Sequence, residues 1–184
     1  MDKDASLGIA GPKIYDIKGK IWSLGGKIDK KRYSGGLIGL GLKDLNGNGI
    51  ATKPDYIPGT AMLIKKEVLE KTGLFEEKYF IYYEDTEISQ KAQKQGYKIA
   101  IIPNATIRHK ESSSFGKKSK AHSYYLSRNH LLFVERNAPI SIRLREFIRL
   151  PKTIWEHLQN KDRYALLGIR DYFLRRFGKN DNWS

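Results

Sequence analysis

The sequence predicts a mixed α/β protein, and three observations carry that expectation. Short apolar runs at 8–15, 61–64 and 98–102, punctuated by Gly and Pro, have the length of strands rather than helices. Charged stretches with helical character follow them, Lys65 to Thr72 closed by Gly73 and Ala121 to Glu135. From Ile140 to Phe177, apolar residues recur against arginines in two amphipathic blocks.

In order, Gly8 to Tyr15 reads as a strand ending at a turn, and Lys20 to Ile28 as a second strand with a turn inside it. Gly35 to Gly41 is expected to be a surface loop. Its glycines lack both the spacing and the Lys-Ser/Thr partner of a phosphate-cradling loop. Asp44, Asn46, Asn48, Gly49 and Asp55 match positions of a calcium-loop template, but position twelve is Asp where a bidentate Glu is expected. Asp, Asn and Gly are equally what a tight turn demands, so a turn is the expectation.

Ala61 to Ile64 is short and apolar, as a buried strand is. Gly59 ahead of it leaves room for close backbone approach to a ligand. Helix 65–72 should end on Gly73, and a polar helix entered at Asp85 should end at Gln95-Gly96, lying at the surface on a thin stripe of Ile88 and Ala92. Lys98 to Ile102 forms a strand closed by Pro103-Asn104, and a second short strand leads to His109. Lys110 to Lys120 is a Ser/Lys loop, and Arg128-Asn129 sits inside the helix that follows it.

Bulk properties narrow the function classes. A chain of 184 residues suits one domain or a large part of one. It has no cysteine, which removes disulfides and thiolate metal sites, and no apolar run able to span a bilayer. Its start lacks the pattern of a signal peptide, so the expectation is a cytoplasmic protein, soluble or peripheral to a membrane. The formal charge of +14 favours anionic partners. No paired Cys/His set or aromatic RNA-binding motif is present, and nucleic acid is not an expected partner.

Chemistry concentrates at Tyr79-Phe80-Ile81-Tyr82-Tyr83-Glu84-Asp85. A carboxylate beside apolar rings is partly desolvated, which raises its pKa toward the range of a general base. The same acids also suit the start of a helix, where they meet the positive end of its dipole. The four rings serve either core packing or a sugar-binding wall. A lone histidine such as His109 is more often structural than a ligand.

Ordered spacing adds to this reading. Gly59-Thr60-Ala61-Met62-Leu63-Ile64, Gly73-Leu74-Phe75, Tyr79-Phe80, Tyr82, Glu84-Asp85, Gly96-Tyr97-Lys98-Ile99, Pro103, His109 and Arg128-Asn129 resemble the C-terminal half of family 2 inverting glycosyltransferases of GT-A fold. The likeness is to the rhamnosyltransferase-like branch. Gly11-Pro12-Lys13-Ile14-Tyr15, Ile21-Trp22-Ser23-Leu24-Gly25-Gly26 and the tail from Gly168 to Lys179 extend the resemblance. Glu76, Glu87 and Lys91 depart from it, standing where Asp, Asp and Arg are usual.

The resemblance implies transfer of a sugar from a nucleotide-diphosphate donor to a glycan or lipid-linked acceptor, in cell-surface polysaccharide synthesis. Asp85 would be the general base and Glu84 its orienting or acceptor-contacting neighbour. Gly59, Thr60, Arg128 and Asn129 would serve donor or acceptor binding, and His109 would ligate Mg²⁺ or Mn²⁺. The loop after His109 would close over the donor. A complete enzyme of this kind has a nucleotide-binding half with an Asp-x-Asp motif. Asp2-Lys3-Asp4 has those letters but no apolar strand leading into it.

Residues 1–137 are therefore expected to be the acceptor and base part of a GT-A domain, inactive alone. Residues 138–184 are expected to be a basic helical extension, either lying on an anionic membrane at the inner face of the cell or packed as a hairpin. A sheet missing its neighbours exposes an edge, so the chain is expected to form a homodimer. The contrasting expectation is a glycan-binding or assembly module with no activity.

Overall fold

The computed structural model describes residues 4–44, 53–110 and 119–181. It is mixed α/β, with five helices among those residues. The chain divides into two compact units that alternate along the sequence. One takes Met1–Ile28, Gly35–Phe75 and Asp85–Glu111; the other takes Asp29–Ser34, Glu76–Glu84 and Ser112–Ser184.

The first unit is organised around β1 (Leu7–Tyr15). Along one edge it pairs in parallel with β6 (Lys98–Arg108). Its other edge is shared by two short antiparallel partners, β5 (Leu63–Ile64) against Ile9 and Ala10, and β2 (Ile21–Ser23) against Ile14 and Tyr15. A separate hairpin joins β3 (Gly26–Ile28) to β4 (Gly35–Leu37). The sequence places a loop at Gly35; pairing with β3 makes its first three residues a strand, a tertiary contact that outweighs glycine's weak local preference.

The two strands expected on either side of Pro103 are a single β6. Its register with β1 jumps from Pro12↔Ile102 to Lys13↔Thr106, so Pro103, Asn104 and Ala105 are looped out. Proline has no N–H to give to a ladder, which accounts for the interruption beside Pro12 and Pro103.

The core of this unit gathers Ile9, Ile57, Val68 and Ala92, with Met62, Ile64, Tyr97, Ile99 and Ile101 against them. Val68 comes from α1 (Lys66–Thr72), which Gly73 ends at φ 79°, a conformation that costs glycine nothing. Ala92 comes from α2 (Glu84–Lys94), expected at the surface on Ile88 and Ala92. Those two are buried, but so are Thr86, Glu87 and Ser89. These polar groups have uses inside: the Ser89 hydroxyl accepts the N–H of Ile57 at 3.2 Å, and Glu87 pairs with Lys91 at 3.6 Å. β5 is less buried than its composition suggests, with Leu63 63% exposed.

β1 also buries a cation. Lys13 Nζ donates to Asp44 Oδ2 at 2.6 Å, and the Tyr15 hydroxyl donates to the same oxygen at 2.6 Å. At the other end of the calcium-loop template set aside above, Asp55 accepts from Lys27 Nζ at 3.1 Å and from the N–H of Ile28 at 2.9 Å. Both template acids are thus engaged by protein donors; residues 45–52 between them lie outside the described residues.

The second unit holds α3 (Lys120–Asn137), α4 (Ile140–Gln159) and α5 (Arg163–Phe173). Ser119 caps α3 by accepting the N–H of His122 at 3.1 Å, and Asp162 caps α5 by accepting that of Ala165 at 3.1 Å. The core here is Ala121, Tyr124 and Tyr125, with Ile81, Tyr82, Tyr164 and Leu167 packed on it.

Gly168 lets α5 approach α3 backbone to backbone. A Cβ at that position would lie 2.3 Å from the Tyr124 carbonyl oxygen and 3.1 Å from the Arg128 nitrogen. Alanine improves helix propensity by about 1 kcal/mol over glycine. Overpacking against an immovable backbone costs about 1–3 kcal/mol, so the clash should win. Gly168→Ala is therefore expected to lower the unfolding midpoint, and a raised midpoint in thermal or urea unfolding would contradict this packing.

Candidate active site

The residues singled out by sequence fall into three local settings. The first is Asp85. Its Oδ2 accepts the N–H of Gly59 at 2.8 Å, while Oδ1 accepts the Thr86 N–H at 2.6 Å and the Thr86 hydroxyl at 3.1 Å. Gly59 and Thr60 form the corner of a tight turn in which the Ala61 N–H donates to the Pro58 carbonyl at 3.3 Å. That turn brings the Gly59 amide onto a carboxylate that is 26 residues away in sequence.

Two opposing effects act on this carboxyl. Desolvation is the larger and pushes its pKa above the ordinary aspartate range; the hydrogen bonds from Gly59 and Thr86 favour the charged form and partly offset it. The result is a carboxylate fixed in one orientation and more basic than a free one. Each oxygen has two lone-pair directions, so these bonds leave acceptor capacity for a further proton. Thr86 is a contributor that sequence reading missed, although its place directly after the acid at the start of α2 is the signal that would have found it.

The second setting is the aromatic run. Phe80, Tyr82 and Tyr83 have φ of 65°, 67° and 76°, left-handed values that non-glycine residues seldom adopt. Arg128 and Asn129 hold this segment from inside α3. The Asn129 Nδ2 donates to the carbonyls of Tyr79, Ile81 and Tyr82 at 2.9, 2.7 and 3.1 Å. The Arg128 guanidinium donates to Tyr79 at 2.9 Å, Lys78 at 3.1 Å, Gly178 at 2.8 Å and Arg176 at 3.5 Å, and its Nε donates to Asn129 Oδ1 at 3.0 Å. It also lies over Tyr124 and Tyr125, with ring centroids 5.4 and 4.9 Å from the guanidinium carbon.

Arg128 is 1% exposed, and these partners explain how a buried guanidinium is tolerated. Of these rings Tyr79 is fully buried, whereas Phe80 is exposed with its ring 5.2 Å from that of Tyr125. Tyr83 stacks on Phe133 at 5.1 Å, and its hydroxyl lies 3.2 Å from His130 Nδ1. Glu84 is half-buried where this segment passes into α2.

The third setting is His109, directly after β6. Its N–H donates to the Tyr15 carbonyl at 2.8 Å, and its ring meets Trp22 edge-on with centroids 4.8 Å apart. Trp22 was not foreseen, because only the pairing of β1 with both β2 and β6 brings the two rings together. Among the described residues, no three His, Cys, Asp or Glu side chains group as a cation site. Residues 111–118, most of the Lys110 to Lys120 loop expected to close over a donor, lie outside the described residues, as do Asp2 and Lys3.

No family model matches the chain. Over 67 residues it is 27% identical to N-acetylglucosaminyl-diphospho-decaprenol L-rhamnosyltransferase from two strains of Mycobacterium tuberculosis. The match supports a distant kinship with glycosyltransferases. It covers 36% of this chain and 22% of that relative, so the chain spans about a fifth of the length of the curated proteins it matches.

Proposed function

We propose that the chain provides the acceptor-side, base-bearing part of an inverting family 2 glycosyltransferase of partial GT-A fold. The observation that carries this reading is the half-buried Asp85 carboxyl, held in place by the Gly59 amide and Thr86. Asp85 takes the proton of an acceptor hydroxyl as that oxygen attacks the anomeric carbon. The bond to the nucleotide diphosphate breaks on the opposite face, and configuration inverts. Glu84 orients the acceptor, and the Gly59-Thr60 turn borders the reacting groups.

Arg128 and Asn129 fix the backbone that leads to Glu84, their donors being spent on carbonyls. The described residues by themselves do not fit a Mg²⁺ or Mn²⁺ site. His109 is proposed as at most one ligand of an ion otherwise held by residues outside them.

The relative's name describes an acceptor carrying a sugar diphosphate on a polyprenol. A lipid-linked acceptor in cell-surface polysaccharide synthesis, at the cytoplasmic face of the membrane, is the corresponding proposal here. The test is transfer from a panel of nucleotide-diphosphate sugars to a polyprenol-linked acceptor by the intact gene product, with anomeric configuration read by NMR. Retained configuration, or no transfer from any donor, would sink the reading.

A further inference from the structure

α4 and α5 read alike in sequence, as basic amphipathic helices, but the structure uses them in opposite ways. α5 buries Ala165, Gly168, Ile169 and Asp171, so its inner face is spent against α3. Among the residues of α4, Glu146 is the buried one. Its inward side carries Glu146, Leu150, Thr153 and His157, which line a cavity together with Leu126, His130 and Ile169. Glu146 Oε2 lies 3.4 Å from His130 Nε2.

The outward side of α4 is its most apolar. Ile140, Leu144, Phe147, Ile148, Trp155 and Leu158 are all exposed, Phe147 at 69% and Ile148 at 78%. Their spacing places them, with Pro151, on one stripe along the whole helix, about 30 Å at the usual rise. Such a face in water forfeits apolar burial along its entire length.

The borders of the stripe identify what covers it. Arg143 flanks one side, and Arg145 and Lys152 the other, where Glu156 lies 4.0 Å from Lys152; the three cations are exposed and outnumber that acid. A second copy laid along the stripe would bring like charges together, whereas anionic headgroups complement them. Trp155 adds an aromatic residue of the kind favoured at the bilayer interface. Among the described residues no helix is long and apolar enough to cross a membrane. The geometry therefore points to α4 as an in-plane anchor, its Ile140–Leu158 stripe sunk into an anionic lipid surface while α5 stays packed on α3.

This inference deepens the membrane location proposed above but needs no sugar transfer, so each can fail without the other. The experiment is co-sedimentation with phosphatidylglycerol-containing vesicles and with pure phosphatidylcholine vesicles, at low and high salt. Binding should favour the anionic vesicles and weaken in high salt. Phe147→Ser combined with Ile148→Ser removes two large apolar side chains that are already exposed. Helical circular dichroism should be unchanged, while partition falls at least about tenfold. Arg145→Glu with Lys152→Glu should abolish the preference for anionic vesicles. Three results would each overturn the proposal: a wild-type protein left in the supernatant, undiminished binding by the serine pair, or a serine pair that converts a dimer to a monomer without affecting vesicles.

Discussion

Under the proposed function, Asp85→Asn is expected to fold and to lose turnover by at least about a hundredfold, the scale of a general base. The substitution preserves size and one acceptor oxygen but removes the group that takes the proton. Acceptor KM should change little, because the proton is transferred in the transition state rather than in the bound complex. Turnover within a few-fold of wild type would remove Asp85 from the mechanism.

The pH profile gives this prediction a second edge. The base must be ionised, so activity should fall as pH drops through the Asp85 pKa. Desolvation places that value above the ordinary aspartate value of about 4, so the acid limb should lie higher than a solvated carboxylate would put it. Stability carries the opposite slope. The folded protein holds this proton more tightly than the unfolded chain does. Asp85 therefore makes stability fall as pH rises from the unfolded pKa to the raised folded one. Asp85→Asn removes that slope, and its stability relative to wild type should improve with pH across the same window. An unchanged difference would mean the carboxyl is not desolvated.

What sequence conveyed about this fold was mostly local. The strand at Leu7–Tyr15, the cap at Gly73 and the helix entered beside Asp85 follow from apolar runs, glycine punctuation and acids at a helix start. What it withheld depends on contacts distant in the chain. Nothing in Gly59 itself shows that its amide meets Asp85, and β4 exists only because β3 is beside it. The burial of Glu87 and Ser89 was invisible because both residues are polar, and their partners are set by tertiary structure. The two C-terminal helices were legible as amphipathic, but Gly168 decided which of them packs, through a backbone contact no periodicity records. For the site, the acids and the Arg-Asn pair were conspicuous in sequence. The work of that pair was not, since carbonyl acceptors leave no trace in residue identity.

Arg128→Met should cost the helical unit on the order of 3–5 kcal/mol, the scale of removing one partner from a buried charged network. The methionine fills much of the space, so the loss would come from polar groups rather than from a cavity. The carbonyls of Lys78, Tyr79 and Gly178 would each lose a charged donor while remaining inside. The left-handed residues Phe80, Tyr82 and Tyr83 would lose part of what holds them, each costing about 1–3 kcal/mol to maintain. Total stabilities of about 5–15 kcal/mol leave little to absorb this, so a large drop in unfolding midpoint is expected. Arg128→Lys separates this role from donor-phosphate binding. Lysine keeps the charge but not the planar fork that reaches several carbonyls at once. A carbonyl-locking role predicts that Arg128→Lys also destabilises, by urea unfolding, with loss of activity following loss of fold. A variant that unfolds like wild type but binds the nucleotide-sugar donor more weakly would instead return Arg128 to the donor site.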